Sequence, residues 1–159
     1  MKTLRIAVPA LALLAFAGAA HAQTATQSVA YEVQAINQIA FTGSPSLTIS
    51  TATAGSAPTS VTANGSYAIT TNETDRKITA ELDSDMPAGT TLSVTLAAPS
   101  GATSAGAVSL STTAQDVVTG ISTVNQSGLN AGYTLAATVA AGVVPAGSRE
   151  VTYTVVAGS

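Results

Sequence analysis

Glu81, Asp83 and Asp85 are the residues whose spacing most directly suggests chemistry. They alternate through Leu82 and Ser84, and on a continuing β-strand residues two apart share one face. Three carboxylates on one face could supply the oxygen ligands that Ca²⁺ takes, with Glu73 or Asp75 joining them across a hairpin. Two of them could instead serve as the acid and base of a glycoside hydrolase. The D-x-D-x-D-G order of an EF-hand loop is absent, and there is no Trp on which a sugar ring could stack. The plainer reading is a solvated acidic edge whose like charges discourage pairing between sheets.

Other chemistry fails for want of atoms. There is no cysteine, and the one histidine, His21, falls in an expected export signal. Once that signal is removed, a Ser-His-Asp triad, a Cys-His pair and a zinc site of the usual nitrogen and sulfur ligands cannot be assembled. Lys77 lies in the charged run Glu73-Thr74-Asp75-Arg76-Lys77. A lysine acts as a base only when burial lowers its pKa, and this one is expected to stay solvated and protonated. Lys2 and Arg5 belong to the signal, which leaves Arg76, Lys77 and Arg149 against eight acidic residues. Three cations cannot neutralise a phosphate backbone or form a polybasic membrane patch. The composition therefore predicts no enzyme, no nucleic-acid partner and no cofactor, with Ca²⁺ at Glu81/Asp83/Asp85 as the one exception to test. Asn64-Gly65-Ser66, Asn72-Glu73-Thr74 and Asn125-Gln126-Ser127 match the glycosylation acceptor pattern, but an Asn-, Ser- and Thr-rich chain produces such matches by chance.

The elements that would carry these residues are strands. Apolar residues recur with period two, not 3.6: Val29/Tyr31/Val33, Leu47/Ile49, Ile78/Ala80/Leu82, Leu92/Val94/Leu96, Tyr133/Leu135/Ala137 and Val151/Tyr153/Val155. Ser, Thr or charged residues fill most of the positions between, as expected for strands with one wet face. Turn chemistry separates the runs at Gly43-Ser44-Pro45, Asn64-Gly65, Pro87-Ala88-Gly89, Pro99-Ser100-Gly101 and Pro145-Ala146-Gly147. About eight to ten short strands at this spacing predict an all-β, single Ig-like antiparallel β-sandwich. Ala114 to Val118 is the one place where a turn of helix is expected.

The N-terminus predicts export. Lys2 and Arg5 precede an apolar run from Ile6 to Ala20, and Ala20-His21-Ala22 reads as an A-x-A cleavage site. The run is too short to span a bilayer. Residues 1–22 are therefore read as a signal peptide and 23–159 as one β-sandwich domain, destined for the periplasm, cell surface or exterior, with no integral membrane segment. Within that domain, residues 23–43 admit two readings. They are either the first strand of their own sandwich or a donor strand that completes a neighbouring subunit's sheet. In the second reading Val29, Tyr31, Val33, Ile36 and Ile39 are the inserted residues.

The A-x-A signal, the alternating segment Ser28 to Phe41 and the terminal run Arg149 to Val156 together resemble small exported bacterial Ig-like β-sandwich proteins of the fimbrial or pilin-subunit type. Ile78 to Ala98, with its Ile-Thr-Ala and Pro-Ala-Gly-Thr-Thr-Leu stretches, resembles other small secreted proteins. The chain departs from the pilin pattern in having no cysteine for a disulfide and in placing Tyr153 six residues from its end. The resemblance implies a structural or adhesive surface protein, a fibre or coat subunit that self-associates or meets another surface protein. It supplies no active site. The alternative is a monomeric periplasmic or extracellular module that binds a polysaccharide or protein and is stabilised by calcium.

Overall fold

The structure, a computed structural model, describes residues 22–158. The chain divides into two units, Met1–Glu32 and Val33–Ser159. In the first, residues 22–32 belong to no helix or strand and are exposed. The expected signal peptide lies outside the described residues except for Ala22.

The second unit is built from nine strands: β1 (Asn37–Thr42), β2 (Val61–Thr71), β3 (Arg76–Leu82), β4 (Thr90–Leu96), β5 (Thr103–Ser104), β6 (Val108–Ser109), β7 (Gln115–Ile121), β8 (Val124–Ala137) and β9 (Val151–Ala157). They form two antiparallel sheets, ordered β1-β2-β8-β4-β6 and β5-β7-β3-β9. The expected all-β sandwich is present. Inward positions follow the alternation: Ile78, Ala80 and Leu82 on β3 and Leu92, Val94 and Leu96 on β4 are all buried. Their partners across the core include Tyr67, Ile69, Val117, Val118, Ile121 and Tyr133. With few aromatics, the interior depends on β-branched and leucine side chains, which suit a pleated surface.

Six of the strands are ordered as in an immunoglobulin sandwich, while β5, β6 and β7 are inserted between β4 and β8. β1 and β2 form a hairpin, β3 crosses to the second sheet, β4 returns to the first beside β8, and β9 crosses back to lie beside β3. This order places β1, β2, β8 and β4 at A, B, E and D, and β3 and β9 at C and F. Among the described residues no strand lies beyond β9, where G would pair.

Several expected elements turn out differently. Val29, Tyr31 and Val33 lie in no strand. Leu47 and Ile49 are half-buried, and Leu47 packs against the core, but residues 43–60 carry only an isolated bridge between Ala52 and Pro58. Pro45 and Pro58 each remove a backbone donor there. Ala114 to Val118 is not helical; Gln115 onward forms β7. Adjacent Val117 and Val118 are both buried because the β3–β7 register shifts at Ile78, a bulge that breaks the alternation. Asn64-Gly65 is not a turn but mid-strand, paired with Gly132 and Ala131. A Cβ on Gly65 would come within 3.0 Å of the Thr42 carbonyl oxygen, so glycine there serves the close approach of β1.

Aromatic side chains close the side of the sandwich where β1 and β9 meet. Phe41 stacks on Tyr153 at 4.0 Å between ring centroids and on Tyr67 at 5.4 Å. Tyr67 donates to the Ala97 carbonyl at 2.5 Å, and Tyr153 donates to the Tyr133 hydroxyl at 2.9 Å. Burial pushes the Tyr67 phenol up to about 12. Tyr153 is raised too, first by burial and then by the Tyr133 hydroxyl.

The packing predicts a sharp contrast between two substitutions. Leu96→Ala, in the core, should lower unfolding free energy by about 2–5 kcal/mol. Val29→Ala, outside it, should change it by less than about 0.5 kcal/mol. Urea denaturation of both variants checks this, and equal losses would contradict the burial assignment.

Candidate functional site

The acidic trio does not form a ligand set. β3 ends at Leu82, so the strand that was to align Glu81, Asp83 and Asp85 stops after the first of them. Asp83 accepts the Glu150 backbone N–H at 3.1 Å, and Asp85 accepts the Thr112 hydroxyl at 3.2 Å. The Asp85 carbonyl accepts Arg149 Nε at 3.0 Å. Asp83 thus ties the end of β3 to the segment before β9, and Asp85 ties it to that same segment and to Thr112. Among the described residues no group of three acidic, histidine or cysteine side chains is placed to hold a metal ion. Once the strand ends at Leu82, period-two spacing no longer holds the three carboxylates on one face, and calcium binding there is left to the melting measurement below.

The five expected strand-exchange residues separate into two sets. Ile39 is an internal strand residue, half-buried on β1 opposite Ile69. Ile36 precedes it and is 41% exposed. Val29, Tyr31 and Val33 are 76%, 94% and 81% exposed. The first-strand reading therefore holds for 37–42 and fails for 29–33, and an inserted segment can include only the residues before β1.

Polar side chains organise the place where this segment enters the sandwich. β1 begins at Asn37, opposite Thr71 at the end of β2. Asn72 then takes over from the ladder. Its Oδ1 accepts the Ile36 N–H at 2.8 Å, its Nδ2 donates to the Gln34 carbonyl at 2.8 Å, and its own N–H donates to the Ile36 carbonyl at 3.3 Å. Beside it, the buried Thr71 hydroxyl donates to Asn37 Oδ1 at 2.8 Å and accepts the Glu73 N–H at 3.1 Å. Glu73 accepts from both Asn37 and Arg76. The Asn37 amide, followed by the Arg76 guanidinium, holds the Glu73 carboxyl below its ordinary range.

Backbone strain gathers at the same end. Asp75 and Thr123 have φ of +50° and +40°, and a β-branched residue rarely adopts the second. Thr123 N–H donates to the Glu73 carbonyl at 2.8 Å, and Asp75 N–H donates to the Ser122 hydroxyl at 3.0 Å. These bonds hold the β2–β3 and β7–β8 turns in that conformation.

Two open clefts lie on the second unit. One, of about 290 Å³, is lined by Ile36, Thr70–Asn72 and Thr123–Asn125 and contains no ionisable side chain. The other, of about 460 Å³, lies under the loop that carries Val143, Val144 and Pro145, with Arg149 as its one charged residue. Neither brings together a nucleophile and a base. Sequence reasoning did not single out Asn72, and weighed Glu73 only as a further calcium ligand beside the acidic trio. The pairing of Asn72 with residues 34 and 36 joins positions far apart in the chain, and Asn72 had registered only as part of a chance glycosylation match. No family model matches the chain, and no curated protein or solved structure matches it.

Two measurements follow from this geometry. Melting temperature should be unchanged by EDTA or by added calcium; a rise of several degrees with calcium would restore the metal reading. Because the Glu73 pKa is lowered on folding from 4.5, its contribution is full above the ordinary carboxylate range and is lost as pH falls through the folded value. Glu73→Gln should therefore flatten the fall in melting temperature between about pH 6 and about pH 3. An unaltered acid profile would show that the bonds from Asn37 and Arg76 carry no net stability.

Proposed function

We propose that this protein is an exported structural subunit that assembles by β-strand addition, with residues 23–33 as the inserted segment and the outer edge of β9 as its receiver. The observation that carries the reading is the exposure of Val29, Tyr31 and Val33. Three large apolar side chains at period-two spacing, outside any strand, are costly to leave in water. Burial of each is worth roughly 1.5–3 kcal/mol. That spacing is what a strand presents to a sandwich interior.

β9 offers the complementary surface. It is bonded to β3 on one side and occupies the F position with no G beyond it among the described residues. Its inward residues Val151, Tyr153 and Val155 are only half-buried, whereas those of β3 and β4 are buried. It carries no charge, proline or bulge, the devices by which natural sheets blunt an edge. The opposite edges of the two sheets, β5 and β6, are two residues each and offer little to pair with. An added strand would satisfy the free backbone groups of β9 and cover its inward side chains. Export fits the reading of residues 1–22 as a signal, and a Ser/Thr-rich exterior with few charges suits close packing between copies.

The test is the solution mass of the chain from Gln23, by sedimentation, with negative-stain microscopy. We expect assemblies that disappear when Val29, Tyr31 and Val33 are all changed to Ser while the sandwich keeps its circular dichroism. Excess peptide of residues 23–33 should cap growth. A monomer at all concentrations would sink this reading and favour a monomeric binding module.

A further inference from the structure

We infer that Asn72 is the positioning residue that commits the N-terminal segment to a second copy of the chain instead of to its own β9 edge. The inference rests on the strand-addition reading above, and it concerns a choice that reading leaves open. A segment with the right side chains, tethered to a sandwich with an open edge, would fill its own edge first. The tether makes the effective concentration high, so exchange between copies needs something that prevents self-insertion.

The geometry supplies that obstacle. The entry of the segment and the C-terminal end of β9 lie at the same end of the sandwich. Asn37 pairs with Thr71, Arg76 pairs with Ala157, and the Gly158 N–H donates to the Asp75 carbonyl at 2.7 Å. To run along its own β9, the chain would have to leave Asn37 and reverse direction at once, within residues 34–36. Those are the residues that Asn72 holds. Its carboxamide offers one acceptor and two donors, as a peptide group offers an acceptor and a donor. It engages Ile36 N–H and Gln34 C=O as the next residue of β2 would, although the main chain of β2 has already turned away at Thr71. With the Asn72 N–H on the Ile36 carbonyl, three hydrogen bonds extend the β1–β2 ladder two residues past the end of β2. A chain bonded in this way continues the line of β1 through Gln34 and cannot bend back there without breaking them.

Neighbouring groups reinforce the bracket from behind. Thr71, Asn37 and Glu73 are bonded to one another, and Glu73 is bonded to Arg76. The start of β1 is therefore anchored independently of Asn72. Loss of the Asn72 side chain should release residues 34–36 while leaving Asn37 and the strands in place. This separates a positioning role from a general contribution to stability.

The experiment compares the chain from Gln23 with its Asn72→Ala and Asn72→Asp variants by sedimentation, thermal melting and amide hydrogen exchange. Asn72→Ala should lower the assembled fraction severalfold and yield monomers in which the amides of residues 29–33 become protected. Those monomers should melt no lower than wild-type monomer held at high dilution, because the open edge is now filled from within. Asn72→Asp keeps the acceptor for Ile36 but loses the donor to Gln34, and should fall between the two. An Asn72→Ala variant that assembles like wild type overturns the assignment. So does one that forms lower-melting monomers with residues 29–33 unprotected, since that marks a merely structural residue. Wild-type chain that never assembles overturns the strand-addition reading itself, a result separate from both.

Discussion

A backbone amide or carbonyl at the edge of a sheet must find a partner in another strand, a side chain or water, and the organisation of this protein turns on where such partners run out. The long central strands β2 and β8 are paired on both sides, β2 with β1 and β8, and β8 with β2 and β4. Tyr67 and Ile69 on β2 and Ala131 and Tyr133 on β8 are buried in the core. Pairing becomes poorer outward in both sheets. On one side it ends in the two-residue strands β5 and β6. On the other it ends in β1 and β9, which are six and seven residues long and free of charge. An immunoglobulin sandwich would close that second side with a seventh strand. Here it is closed by ring stacking of Phe41 on Tyr153 and by no backbone pairing beyond β9 among the described residues.

The same constraint explains the polar cluster at the start of β1. Where β2 turns away after Thr71, the preceding residues of the chain would lose their hydrogen-bond partners. The Asn72 side chain replaces the missing strand for two residues. Asn37, Thr71, Glu73 and Arg76 consume one another's polar groups around it, with Arg76 Nε the one buried side-chain atom left without a partner among the described residues. Each bond is modest, on the order of 0.5–1.5 kcal/mol net for a neutral pair. Their joint effect is directional, because they hold the chain straight at the point where it would otherwise be free to turn.

The acidic residues illustrate a different lesson. Glu81, Asp83 and Asp85 had the spacing of a ligand set, yet each aspartate is spent on joining segments: Asp83 to the start of β9, and Asp85 to the β6–β7 connection and to Arg149. Carboxylates at the end of a strand find N–H and hydroxyl donors close by, as Asp83 and Asp85 do. A spacing argument holds only as far as the secondary structure on which it depends.

From the sequence alone came the all-β class, the inward faces of β3, β4 and β9, most turn positions, and the absence of thiol and imidazole chemistry after the expected signal is removed. These follow from local chemistry: side-chain alternation, glycine and proline placement, and the inventory of functional groups. Tertiary structure alone decided the rest. Val29/Tyr31/Val33 and Val151/Tyr153/Val155 show the same alternation, yet one belongs to no strand and the other forms an edge strand. Period-two patterning states that a segment can lie on a sheet, not whether a partner strand is present to receive it. Asn64-Gly65 reads locally as a turn, but the long β2–β8 ladder and the approach of β1 keep it straight. Likewise the adjacent pair Val117-Val118 becomes intelligible only through a bulge in its pairing with β3. Hydrogen-bond partners and strand order are non-local, set by which stretches of chain meet in space, and no single stretch encodes them.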